Sequence, residues 1–420
     1  MSPSENTLAG KIAFVFLCLF ALGLAFSISI AQTGLGLAFL VFLATLVTRR
    51  GRATLSLAAA PRLRILYVSF LLWTFWRIYH VVVSPTPVAE LIEAREVWLM
   101  LIPLFIYFYA SGRKRLWILA ACFVIGVAVS SAYGAWQMRA DFLNMVRGKG
   151  MSTMHHLNYA GMAALATLLG IGLTWASYYA GKKGKAVGFL ILTLICATGL
   201  WLTKSRGVIA AVGVLLPLVF FLQVRGKAQR TVFVIVVVGL AALFISRLPD
   251  SVANEFKFPP PESHGGSQAE RRDLWLIGYT MIKDKPVTGW GERGYNLAYP
   301  RYQIPGAQGV VVYDAKEQSA SHMHNDFINT WVLYGLVGLL IQLFYYFFGY
   351  FIYLRERFKI RLESDRPLAA AAASCLPLMA FMGVTQCHFT SEIVQMSFWL
   401  VLGVLFALLE SDRAGTKTGT

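Results

Sequence analysis

Long apolar runs separated by short polar breaks make up most of the chain. The runs are roughly 16–28 residues long, and at about 1.5 Å of helical rise per residue each can cross a hydrocarbon core of about 30 Å. The pattern predicts twelve spans, near residues 12–29, 31–48, 65–84, 97–112, 116–136, 159–180, 186–203, 207–224, 231–246, 327–354, 367–385 and 393–410. An even number places both termini on one side. Residues 247–326 depart from the pattern as one long polar insertion. The chain thus divides into spans one to nine over 1–246, a loop domain over 247–326, and spans ten to twelve with a tail over 327–420.

Long insertions in compact chains are usually functional or disordered. This one is rich in aromatic residues, so disorder is expected only around Pro259-Pro260-Pro261 to Gly266. Ser267-Gln268-Ala269-Glu270 has the spacing of a capping box, in which the Ser and Glu side chains satisfy first-turn N–H groups reciprocally. A helix is predicted from about 268 to 284, with Pro286 beyond its end. Leu274, Trp275, Gly278, Met281 and Ile282 form one apolar stripe along it, suited to the bilayer surface or to the helical bundle.

Composition agrees with this organisation. Of 420 residues 57% are hydrophobic and 14% charged, which excludes an ordinary soluble enzyme. The net charge of +17 gathers in the clusters Arg49-Arg50, Arg113-Lys114-Arg115, Lys182-Lys183, Arg225 to Arg230 and Arg355 to Arg366, all on one face of the predicted topology. That face is cytoplasmic by the positive-inside rule. The charge therefore reads as topology and as attraction to anionic membrane lipids, with no support for nucleic-acid binding. The five cysteines have no metal-ligand spacing. All seven histidines fall on the opposite, outer side, so any chemistry is expected there.

Three constellations on that side have chemical content. His324-Asn325 precedes Gly335 and Gly338, and about three helical turns would align His324 with both glycines on one face of the tenth span, where they allow close helix packing. Lys204-Ser205-Arg206-Gly207 is the whole connection between spans seven and eight, which pins Arg206 at the headgroup plane. There its guanidinium grips either ordinary lipid phosphate or a substrate's phosphate with paired hydrogen bonds. Arg271-Arg272 open the capped helix, with Trp275 one turn on. Two cations oppose the helix dipole there, which makes sense if an anion is bound, or if the pair is simply a solvated start balanced by Glu270 and Asp273.

Together these motifs resemble the O-antigen ligase and polymerase superfamily. The loop arginine of Ser-Arg-Gly, the Arg-x-x-x-Trp helix running on to Gly289-Trp290-Gly291, and His-Asn followed by Gly-x-x-Gly-Leu carry the resemblance, over roughly residues 203–340. The His-Asn spacing is most similar to the ligase branch. The resemblance implies an all-α, GT-C-like membrane enzyme of about twelve helices whose large periplasmic loop contains amphipathic helices. It implies inverting glycosyl transfer in a Gram-negative inner membrane, with both termini cytoplasmic. The donor would be an O-antigen glycan on undecaprenyl pyrophosphate and the acceptor a sugar of lipid A–core.

By motif, His324, Arg206 and Arg271 are the expected catalytic residues. Lys204, Arg272, Trp275, His322 and Asn325 are expected to bind substrate, and Gly335 and Gly338 to be structural. Arginines would stabilise the departing diphosphate, while His324 removes or orients the acceptor proton. The insertion holds no Asp-x-Asp or dense carboxylate cluster of the kind that holds magnesium diphosphate, so no metal or cofactor is expected. The O-antigen polymerase and the protein O-oligosaccharyltransferase of the same superfamily are alternatives. A glycolipid flippase is an alternative of another class, although transporters usually carry midplane ionisable residues. Arg77 alone lies clearly within a span, where it either reaches the surface or pairs with Glu93 or Glu96.

Overall fold

The computed structural model describes residues 7–47, 60–138, 155–221, 267–306, 309–314, 319–358 and 362–417, with a few isolated positions between them. The helices are α1 Leu8–Gly23, α2 Ile28–Val47, α3 Pro61–Val83, α4 Pro87–Glu93, α5 Ile102–Ala110, α6 Arg113–Gln137, α7 His156–Tyr179, α8 Lys183–Leu202 and α9 Arg206–Phe221, followed by α10 Ser267–Asp284, α11 Glu292–Ala298, α12 Asp326–Glu356, α13 Arg366–Gly383 and α14 Glu392–Lys417. Among the described residues the only extended pairing is a single bridge between Asp314 and Ser319. Eight helices are long and apolar enough to cross a membrane, and α1 and α9 are shorter apolar helices. The protein is a polytopic all-α membrane protein.

Two predicted spans need comment. The fourth, 97–112, is not one helix: a 3-10 segment Ala94–Leu101 leads into the nine-residue α5. Pro103 stands in the first turn of α5, where its missing N–H costs nothing, so a new helix starts there readily. The ninth, 231–246, lies largely outside the described residues, as do the loops 139–154 and 247–266.

Burial separates centre from rim. Helices α7, α13 and α14 are buried along most of their length, whereas α2 and α3 turn Leu40, Val68, Leu71 and Phe75 outward, as lipid-facing helices must. The run Ala369 to Ala373 lets α13 approach α7 closely, the small-residue packing that membranes favour because lipid tails offer no hydrophobic drive between helices. At one end of the bundle Arg62 pairs with Glu356 and with Glu410 (3.5 Å), and Arg113 pairs with Asp365 (2.7 Å). The starts of α7, α9 and α12 and the insertion lie at the other end.

The insertion builds a second core on that end. Helix α10 begins at Ser267 and ends two residues before Pro286, as its sequence predicts. Its stripe settles on the bundle: Leu274, Ile277 and Met281 are fully buried with Tyr299, Met323 and Val332, and Gly278 sits against Met323, just before α12, and Ile328 in its first turn. Helix α11 is held by Glu90, whose carboxylate accepts from the N–H groups of Glu292 (3.1 Å) and Arg293 (2.9 Å), a favourable use of negative charge at a helix start.

Helix α12 is broken at Gly335, which has φ of 66°. The carbonyls released by the break are taken over from outside the helix. Val332 O accepts from Trp290 N (2.9 Å), Leu333 O from Gly291 N (2.7 Å) and Tyr334 O from the Trp76 indole (2.9 Å). Leu336 N in turn donates to Pro286 O (2.9 Å). The expected helix-packing role of Gly335 is thereby corrected. Gly335 accommodates the 286–291 loop, and Gly338 lies against Tyr334 beside the break, with Trp73 next to it. His324 is not on the helix at all, because α12 starts at Asp326.

A methyl group at Gly335 would collide with the backbone of Val287 and Thr288 and would sit at positive φ. Gly335→Ala is therefore expected to destabilise the protein by more than about 1 kcal/mol, read as a lower midpoint in thermal unfolding in detergent.

Candidate functional site

Four segments converge at the insertion-bearing end. The first is the α8–α9 turn. Helix α8 ends at Leu202, Lys204 adopts φ of 53°, and Arg206 begins α9. Gly207 packs directly on Thr385, where a larger residue would collide, and this seats Arg206 against the turn between α13 and α14. That turn is the second segment and carries Gln386 and His388. The third is the first two turns of α10, with Arg271, Arg272 and Trp275. The fourth is the segment 321–325, with His322 and His324.

Among the described residues Lys204 and His324 are the only non-glycine residues at positive φ. Such a conformation costs on the order of 1–3 kcal/mol and persists only where neighbours over-determine it. The neighbours here can be named. Met323 N donates to Asn329 Oδ1 (3.1 Å), and Met323 O accepts from the Trp275 indole (3.0 Å). His324 Nδ1 meets Gln386 Oε1 at 2.6 Å. Asp326, fully buried, accepts from Phe389 N (3.0 Å) and from the Tyr346 hydroxyl (3.1 Å), which ties the segment carrying Gln386 to the start of α12.

The bond to Gln386 decides the chemistry of His324. An amide oxygen only accepts, so Nδ1 carries the proton and Nε2 keeps its lone pair. Burial, with Arg271 nearby, holds the His324 imidazole below its ordinary pKa despite the opposing bond to Gln386. His322 packs edge-on against it with ring centroids 4.3 Å apart, and is pushed down to about 4, by burial first and then by His324. Both rings are neutral at pH 7. The positive charge of the site therefore comes from guanidinium groups.

The two adjacent arginines separate clearly. Arg272 is clasped by Asp273, with contacts of 2.7 and 2.9 Å. Arg271 has no carboxylate in salt-bridge range among the described residues; it feels the charge of Arg206, and its own charge disfavours protonation of His324. Its pKa is lowered by burial first and then by Arg206. Two mutually repelling guanidinium groups, with no carboxylate for Arg271 among the described residues, suit an anion, which would relieve the repulsion.

The other predicted residues occupy different places. Asn325 is buried as the N-cap of α12: its amide oxygen accepts from Phe327 N (2.9 Å) and Ile328 N (3.1 Å), and its Nδ2 donates to Val384 O (2.9 Å). Its side chain is thus engaged on both sides by backbone, in place of the substrate contact its motif suggests. Trp275 acts on the backbone beside His324, and Lys204 lies exposed at the rim. Arg77 finds Glu292 at 3.7 Å and lies over the Tyr334 ring at 4.5 Å, so its partner is neither Glu93 nor Glu96. Gln386 is the residue that motif reading missed. No local signal marks it, since it meets His324 only through the tertiary fold.

A bundle of long apolar helices carries, at its insertion-bearing end, a site built of guanidinium and imidazole groups. Residues 190–343 match the sequence model of the family described as O-antigen ligase, so this part of the chain is similar to that family. The match spans Arg206, Arg271, His322, His324 and the break at Gly335, and stops short of Gln386. The chain is also similar to a Haemophilus influenzae protein described as uncharacterized, 23% identical over 289 residues that cover 66% of this chain and 69% of that protein.

The Gln386 contact makes a spectroscopic prediction. In 15N spectra of histidine-labelled protein, His324 should show the Nδ1–H tautomer at neutral pH and titrate below the ordinary imidazole value. Gln386→Leu should abolish that tautomer preference. A mixed tautomer population in the unaltered protein would contradict the assignment.

Proposed function

We propose that the protein is an O-antigen ligase. It transfers a glycan from undecaprenyl pyrophosphate to a sugar of lipid A–core at the periplasmic face of a Gram-negative inner membrane. The observation that carries the reading is that Arg271 is coupled electrostatically both to Arg206 and to His324, with no carboxylate in range of it among the described residues.

The acceptor hydroxyl oxygen attacks the anomeric carbon from the face opposite the leaving group, and the bond to the diphosphate breaks with inversion. The proton goes to Nε2 of His324, while Arg206 and Arg271 stabilise the charge growing on the departing undecaprenyl pyrophosphate. Lys204 at the rim adds a further cation for the diphosphate. Arg272 and Trp275 hold α10 and the His324 segment in place, and Asn325 caps α12. Metal independence rests on the absence of an Asp-x-Asp or dense carboxylate cluster in the insertion sequence.

Each charge-assisted contact contributes about 1.5–3 kcal/mol, so Arg206→Ala and Arg271→Ala should each slow transfer roughly 10- to 150-fold in a purified assay that follows glycan joining to core. Normal rates would remove the arginines from the mechanism. His324→Ala should reduce turnover far more than donor affinity, and equal losses would reassign it to binding. Excess chelator should leave the rate unchanged.

The pH dependence has a definite sign. A base works when unprotonated, and burial lowers the His324 pKa, so the rate should fall with acidification at a lower pH than an ordinary imidazole would dictate. In cells, deletion of the gene should leave bare core together with long glycan on the undecaprenyl carrier. A single repeat unit on core would indicate the polymerase reading, and carrier-linked units trapped in the inner leaflet the flippase.

A further inference from the structure

Beside the arginine site lies a cavity of about 310 Å3 that extends between α3, α11 and α12 and is lined at one end by His322. Its chemistry is opposite to that of the arginine site. Glu93, Glu96 and Glu292 line it, and Arg77 is the one guanidinium among its described lining residues. Aromatic rings, including Trp73, Tyr334 and Phe389, make up much of the remaining wall.

Two buried polar groups in this wall have unused hydrogen-bonding capacity. Gln342 is 2% exposed and its Nε2 donates to the Tyr346 hydroxyl (3.0 Å), yet its Oε1 has no hydrogen-bond partner. Arg77 is 5% exposed, and its Nη1 makes no hydrogen bond, being 3.7 Å from Glu292. A buried polar atom left without a partner costs about 1–3 kcal/mol, so such atoms facing a cavity call for an occupant that supplies the missing bonds.

The occupant must meet three conditions. It must offer many O–H donors to carboxylate and amide oxygens, it must present an apolar face to aromatic rings, and it must not be an anion. A neutral pyranose satisfies all three, because its hydroxyls lie around the ring edge while its C–H faces are apolar. The volume lies at the small end of ligand pockets, about 300–1,000 Å3, in keeping with one ring rather than a long glycan. We infer that this cavity is a sugar-binding subsite that seats one neutral ring next to the reacting bond and rejects acidic sugars.

The inference rests on the glycosyl-transfer reading and extends it. Diphosphate goes to the guanidinium side, the sugar ring goes to the carboxylate side, and His322 stands at the boundary against His324. Burial raises Glu96 and Glu292 to about 7, so near neutral pH each is present both as a carboxylate that accepts and as an acid that donates. Hydroxyl groups, which also do both, match that mixture. The ring belongs either to the donor glycan or to the acceptor.

The test uses the full chain in lipid nanodiscs and saturation-transfer NMR with two probes, both prepared from the strain of origin. One is the dephosphorylated, delipidated core oligosaccharide and the other the carrier-free repeat-unit glycan. One probe should bind, which identifies the source of the ring, and galacturonate should not compete. Gln342→Leu removes the unpaired acceptor, and Ala94→Trp fills the cavity without removing a polar group. Each should weaken probe binding at least about tenfold while leaving inorganic pyrophosphate affinity unchanged.

Three outcomes would overturn the subsite: neither probe binding the unaltered protein, both variants binding within about twofold of it, or galacturonate competing as well as a neutral sugar. Because binding is read without turnover, the two ideas fail separately. Glycan joining by the unaltered protein with no cavity-dependent binding removes only the subsite. Cavity-dependent binding without glycan joining removes only the ligase reading.

Discussion

The break in α12 at Gly335 is the constraint on which the site depends. A transmembrane helix cannot leave carbonyls unpaired, since each buried orphan is costly. Here the orphans at Val332, Leu333 and Tyr334 are paired by Trp290, Gly291 and Trp76. The insertion is thereby fastened to the membrane bundle by main-chain hydrogen bonds, whose geometry leaves little freedom. The same few residues carry Glu292, which reaches Arg77 and the Tyr334 hydroxyl, and they terminate the loop that starts at the end of α10. A flexible tether would not hold Arg271 in register with groups from α9 and from the α13–α14 turn.

From that fastening follows a division of charge. On one side Arg206 and Arg271 lie near each other, with the second cation of the Arg271-Arg272 pair withdrawn by Asp273. On the other side carboxylates gather around a cavity with a single guanidinium. The neutral rings of His322 and His324 lie between them. Opposite fields on either side of two uncharged imidazoles would suit the proposed reaction, which separates a polyanionic leaving group from a hydroxyl-rich partner. The strained backbone of His324 belongs to the same design, because at its positive φ the ring meets Gln386 on one side and His322 on the other.

Much of this was legible along the chain, and for an identifiable reason. The start of α10 at Ser267, its end before Pro286, its buried stripe and the short turn before Arg206 all depend on residues a few positions apart, where capping, helical period and proline geometry act. The placement of His324 was not legible in that way. Extending the helical period back across Asn325 set the histidine in line with Gly335 and Gly338, whereas Asn325 caps the helix and excludes His324 from it, and Gly335 interrupts the helix further on.

The sequence by itself determined the membrane class and the residue types available for chemistry, because hydropathy and local caps are properties of neighbouring residues. Only the tertiary structure decided that Asp273 engages Arg272 while Arg271 is coupled to Arg206, that Gln386 sets the tautomer of His324, that Arg77 belongs to Glu292, and that an acid-lined cavity adjoins the histidines. Each of these joins side chains from segments tens to hundreds of residues apart, and such pairings arise from helix packing, which local pattern does not encode.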